Sequence, residues 1–185
     1  EFTGNIYGYT GDPELTWNTF GEYLERLQAA HPAINTVPLV PNGNLRISAV
    51  GDRGNAASPA GVEAMKRLLT EALDEGAWGL SLGLEYGSER AASFDEMSEL
   101  AKVSAGRDGL LAVHTRNKER TAAKAVQEAI DLGRASGSAV QVSHVIPRRG
   151  GDPDALERII DSIDSAARLG DDIAFDVHTR LHGIT

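Results

Sequence analysis

His114 and His144 stand 30 residues apart, each closing an apolar run. The first run is Gly109-Leu-Leu-Ala-Val-His114 and the second is Ala139-Val-Gln-Val-Ser-His144. Imidazole nitrogens bind zinc at roughly 2.0–2.1 Å, so two imidazoles on neighbouring strand ends could reach one metal ion. Either histidine taken alone reads more readily as a hydrogen-bonded structural residue than as a ligand; the repeated placement brings the metal reading level with it. Asp176 follows the apolar run Ile173–Phe175, where a carboxylate either orients a ligand histidine or caps a turn. His178 and His182 are four apart, a chelating spacing only on a helix, and here they leave a strand, so a metal role is not expected of them. His31, before Pro32, reads as structural. Tyr86, at the end of Gly79–Tyr86, is a candidate substrate contact. The stretch Gly79-Leu-Ser-Leu-Gly83 matches Gly-x-Ser-x-Gly, but a nucleophile elbow needs a sharp turn from strand into helix. Here the apolar run continues through Leu84 and the next helix signal waits until Ser93, so Ser81 reads as a mid-strand residue. No phosphate-binding glycine pattern is present.

The elements that would position these residues follow from periodicity. Apolar runs at Asn35–Leu39, Trp78–Leu84, Gly109–His114, Ala139–His144 and Ile173–Val177 read as strands, the last four at about the spacing of a βα unit. That repeat implies a parallel sheet with crossover helices, and continuous apolar runs suggest strands buried on both faces. Val62, Met65, Leu68, Leu69, Ala72 and Leu73 follow helical spacing until Gly76. Ser93 with Glu96 predicts a capping box leading into Met97, Leu100 and Ala101. Ala122 to Gly133 forms another apolar helical face, and Asp152-Pro153 predicts the N-cap of a helix through Ile163. Trp17–Ala30 reads as a helix after an irregular, glycine-rich start. Five strands are too few for an eight-stranded barrel of typically about 250 residues. The chain therefore reads as a doubly wound domain or as part of a barrel, and periodicity does not separate the two.

With 185 residues, 41% of them hydrophobic, the chain can bury one sizeable core. Its formal net charge of −9 argues against a nucleic-acid footprint, and Arg148-Arg149 is too short to supply one. No apolar run approaches the roughly 18 residues of a membrane helix and no signal-peptide pattern opens the sequence. The absence of cysteine excludes disulfides and thiolate ligands. A soluble, cytoplasmic protein without membrane or nucleic-acid partners is the default expectation.

Six ordered stretches resemble the N-acyl-D-amino-acid deacylases, or D-aminoacylases, of the amidohydrolase superfamily. They are Trp17–Leu24, Asn35–Pro41 with Leu45-Arg46, Gly76–Tyr86, Ala112–Asn117, Val142–Val145 and Phe175–Arg180. The resemblance implies a partial (β/α)8 TIM-type barrel and, in the parent enzyme, zinc-assisted hydrolysis of the amide bond of an N-acyl-D-amino acid. It implies that His114 and His144 are the zinc ligands of barrel strands five and six. It implies substrate contacts for Tyr86 and for Arg180, which falls where many relatives carry tyrosine. Ile146 stands where relatives with Ser-His-Leu-Lys have lysine, which removes one expected substrate contact. The family's His-x-His of strand one, its bridging ligand of strand two and its catalytic aspartate of strand eight have no counterparts here. Asp176-Val-His178 mimics the strand-one motif, but its second histidine position is Arg180 and its order matches strand seven.

The expectation is thus an internal segment, residues 1–185 covering roughly strands three to seven, inactive by itself. Its two open sheet edges would invite self-association. The rival is a complete non-catalytic α/β module that binds ligands in the strand-end crevice.

Overall fold

The computed structural model describes residues 16–51, 55–146 and 152–178. Five strands, β1 (Val40–Pro41), β2 (Gly79–Gly83), β3 (Leu110–His114), β4 (Val140–Val142) and β5 (Ile173–Phe175), lie side by side in chain order, and every neighbouring pair is parallel. A doubly wound sheet reverses its strand order at a switch point; this one does not. Right-handed crossovers repeated in one direction put all the connecting helices on the same face. Accordingly α2 (Asn42–Ala49), α3 (Pro59–Asp74), α4 (Phe94–Ala105), α5 (Ala122–Ser136) and α6 (Ala155–Arg168) each pack on the next. The architecture is therefore part of a parallel (β/α) barrel. Helix α1 (Phe20–Ala29) leans on α3.

Strand alternation sorts the sheet into two unlike faces. Leu80, Leu111 and Val140 are in register with Ile173, and Leu82, Val113 and Val142 with Phe175. From β2 to β4 these rows are buried among Met65, Leu69, Met97, Leu100, Ala129 and Ile159 of the helices. The intervening row, Ser81, Ala112, Gln141 and Ala174, is small or polar and partly or fully exposed. The expectation of strands buried on both faces is corrected: the described residues cover only the helix side. Ser81 sits mid-strand, as the apolar run through Leu84 predicts, with its hydroxyl directed at the Val40 carbonyl.

The helix boundaries show which local signals prevailed. Ser58 caps α3 through its hydroxyl, Pro59 takes the first turn, and the chain leaves the helix through Gly76 at φ 114°. At α4 only half of the expected capping box forms: Ser93 accepts from the Glu96 N–H, while the Glu96 carboxylate is taken by Arg46 and the Ala57 N–H. A complete box occurs instead at α1, between Thr19 and Glu22. Helix α6 starts after Asp154, because Asp152 makes a turn by accepting from the Asp154 N–H. The first strand lies at Val40–Pro41 and not at 35–39, and Asn42 begins a helix that apolar periodicity does not announce. Gly79 is confined to glycine: its φ is 148°, and a Cβ there would stand 2.0 Å from the Leu110 carbonyl oxygen.

Candidate active site

His114 is the last residue of β3 and shares the parity of Ala112, so it projects from the face opposite the helices. It is in register with Gly83 of β2 and only 7% exposed. His144 comes two residues after β4 ends, where strict alternation would aim it with Val140 and Val142 at the helices. A left-handed backbone, φ 39°, redirects it. That conformation costs an L-residue roughly 1–2 kcal/mol, and β5 stabilises it: the Asp176 carboxylate accepts the His144 N–H at 2.7 Å and the Gln141 side-chain amide at 2.8 Å. Asp176 thus orients the histidine through its backbone and not through its ring.

The two rings meet at a centroid distance of 4.6 Å, with His114 Nδ1 and His144 Nε2 2.7 Å apart. The His178 ring lies 5.1 Å from that of His144, closer to the site than its strand-exit position suggests. Tyr86 stacks on His114 at 5.2 Å and is 41% exposed. Its ring occupies space that only a glycine leaves open, since a Cβ on Gly83 would meet it at 2.4 Å. On the other edge of His114, Nε2 is 2.9 Å from the Glu85 carboxylate, and the buried Lys118 ammonium lies 3.4 Å from Nδ1.

Two nitrogens bound tetrahedrally to one zinc at roughly 2.0–2.1 Å stand about 3.3 Å apart. The observed pair needs to open by about 0.6 Å to accept the ion. Burial, reinforced by the charges of Lys118, His114 and His178 and partly offset by Asp176, pulls the His144 pKa down to about 4. The ring is therefore neutral near pH 7, the form that coordinates metal. The donor set fits zinc as a half-site. Among the described residues no three His, Asp or Glu side chains converge on a common point. Arg180 and His182 lie outside the described residues.

The loop after β2 carries both Glu85 and Tyr86 and is held from beneath by Glu89, which sequence pattern did not single out, and by Arg46 and Arg116, which entered only within the family-like stretches. Glu89, 5% exposed, accepts from the Gly83 N–H at 2.7 Å and the Asn42 amide at 3.2 Å. Arg46, fully buried, donates to the Ser88 carbonyl at 2.7 Å and pairs with Glu96 and the Asn55 carbonyl. Arg116 donates to the carbonyls of Arg90 and Ala92 and bridges to Glu128 at 3.0 Å. Isolated charged residues outside an apolar periodicity read as solvated, and only the three-dimensional contacts show otherwise.

Sequentially ordered parallel strands with histidines converging beyond their carboxyl ends define a segment of an amidohydrolase barrel. The chain is homologous to a segment of the N-acyl-D-amino-acid deacylases of that class. It is 36% identical over 159 residues to an N-acyl-D-glutamate deacylase of Alcaligenes xylosoxydans xylosoxydans, 84% of this chain and 32% of that protein. It is 38% identical over 136 residues to an N-acyl-D-aspartate deacylase of the same organism, 72% of this chain and 27% of that protein. The crystal structure of the Bordetella bronchiseptica N-acyl-D-glutamate deacylase, complexed with zinc and a phosphonate mimic of the tetrahedral intermediate, superposes with a TM-score of 0.84 at 33% identity. That match covers 92% of this chain and 36% of the other. The chain spans about a third of the length of the relatives it matches. No protein-family model matches it.

Proposed function

We propose that residues 1–185 form roughly strands three to seven of the catalytic barrel of a zinc-dependent N-acyl-D-amino-acid deacylase. The observation that carries this reading is the 2.7 Å approach of His114 Nδ1 to His144 Nε2 across adjacent parallel strand ends. His114 and His144 would hold the zinc, which when bound supplies Lewis-acid polarisation of the amide carbonyl. Tyr86, exposed beside His114, would contact the substrate around that carbonyl, and Arg180 would contact its carboxylate. The relatives that act on N-acyl-D-glutamate and N-acyl-D-aspartate support an acidic D-amino acid as the leaving portion.

The described residues supply two of the three protein ligands that a catalytic zinc site usually has, which supports an inactive segment. No helix among them is long and apolar enough to cross a membrane, and a cytoplasmic setting without nucleic-acid partners belongs to the same reading. So does self-association: β1 and β5 are both sheet edges, and Phe175 on β5 is exposed.

Zinc content after equilibration and dialysis tests the proposal. About one zinc per chain is expected, lost in His144→Ala. No zinc in either protein would overturn it. N-acetyl-D-glutamate should not be hydrolysed by this chain, and zinc-dependent turnover would refute the inactive-segment reading.

A further inference from the structure

Glu85 sits where its position relative to His114 is fixed by backbone. The Leu84 N–H donates to the His114 carbonyl at 3.0 Å, carrying the β2–β3 pairing one residue past the strand. Immediately afterwards the chain turns, with the Tyr86 N–H donating to the Gly83 carbonyl and the N–H groups of Glu89 and Arg90 donating to the Tyr86 carbonyl. The Arg90 guanidinium closes on the Glu85 carbonyl at 3.0 Å. With Glu89, Arg46 and Arg116 gripping the same loop, the Glu85 carboxylate is delivered to the His114 ring at little further cost in chain entropy. Both side chains are largely buried, 8% exposed for His114 and 22% for Glu85.

An ionised carboxylate only accepts hydrogen bonds. The 2.9 Å contact therefore requires the proton of a neutral His114 to reside on Nε2. Nδ1 is then the unprotonated nitrogen, which accepts from the buried Lys118 ammonium at 3.4 Å and faces His144 Nε2. We infer that Glu85 is a positioning residue: by holding the proton on Nε2 it selects the His114 tautomer whose Nδ1 points into the half-site. The relation to zinc rests on the reading proposed above; the tautomer does not. Carboxylates that accept from the remote nitrogen of a ligand histidine commonly raise metal affinity 10–100-fold.

The test compares wild type with Glu85→Ala, Glu85→Asp and Glu85→Gln by two measurements. Two-bond nitrogen–proton correlation NMR, with the ring neutral, reports the His114 tautomer without any metal. Wild type should be the Nε2–H form, and Glu85→Ala should show a smaller share of it, with the Lys118 ammonium still facing Nδ1. Glu85→Asp, which draws the acceptor back by one methylene, supplies the same comparison if the alanine variant does not fold. Glu85→Gln keeps an acceptor oxygen and should retain the tautomer. Zinc affinity by chelator competition should fall at least about tenfold in Glu85→Ala and only a few-fold in Glu85→Gln. An unchanged tautomer in both removal variants overturns the inference, even if affinity drops. If wild type binds no zinc, the metal reading fails and the NMR comparison still decides the role of Glu85.

Discussion

His114 closes a regular strand beside a loop gripped by buried charged side chains, whereas His144 lies beyond its strand in left-handed backbone held by an exposed aspartate. On the His114 side, Arg46, Glu89 and Arg116 all bond to loop backbone, so ring and neighbours are set by the core. On the His144 side, the orientation depends on Asp176 just past β5, the outermost strand of the described sheet. One half of the site is built from within, and the other leans on an edge. The His144 half should therefore respond most to what lies beyond β5, while the His114 half should fail only when the core does.

That contrast can be broken in order of expected effect. Arg46→Met strips the partner from buried Glu96 and frees the Ser88 carbonyl, and should cost about 3–5 kcal/mol in urea unfolding. A loss below about 1 kcal/mol would mean that the loop is not held by the core. Asp176→Ala leaves the His144 N–H without its acceptor and should cost about 1–3 kcal/mol. It should also weaken zinc binding, with Asp176→Asn milder because an acceptor oxygen remains. His144→Gly should be more stable than His144→Ala by about 1–2 kcal/mol, since only glycine adopts the positive φ freely. Equal stabilities would show that the redirected backbone carries no strain.

The smallest effect is a pH dependence on the other side of the site. Burial, outweighing the bonds from Gly83, Asn42 and Gly43 and the charge of Arg46, raises the Glu89 pKa above its ordinary 4.5. A raised folded-state pKa means that the native state holds this proton more tightly than the unfolded chain. Its stabilising contribution is complete below pH 4.5 and is lost as pH rises to the raised value. Glu89→Gln should flatten that decline when wild-type and variant unfolding are compared from about pH 4 upward. Parallel profiles would place the Glu89 carboxyl in water.

Local patterns made much of this molecule legible. The βα repeat appears as four βα-spaced strands, and Ser93 and Gly76 mark boundaries because caps and stops act within a few residues. The two histidines could be selected because strand ends in a parallel sheet share one side. The capping box at Ser93 went half unmade because Glu96 found a buried guanidinium 50 residues away. Likewise, Glu85 carries no periodic signal, and its partner is 29 residues distant.

Periodicity and spacing by themselves determined that the chain alternates strand and helix and that its strands run parallel, and they put two imidazoles at or just past neighbouring strand ends. These depend on interactions along a few consecutive residues, which sequence records directly. Periodicity did not separate barrel from doubly wound sheet; the family-like stretches pointed to the barrel, and the order of neighbours in the tertiary structure shows it. The tertiary structure alone decided which ring nitrogens meet. That choice depends on a left-handed φ at His144, a carboxylate from the next strand and a loop locked by distant arginines, contacts that exist only once the strands lie side by side.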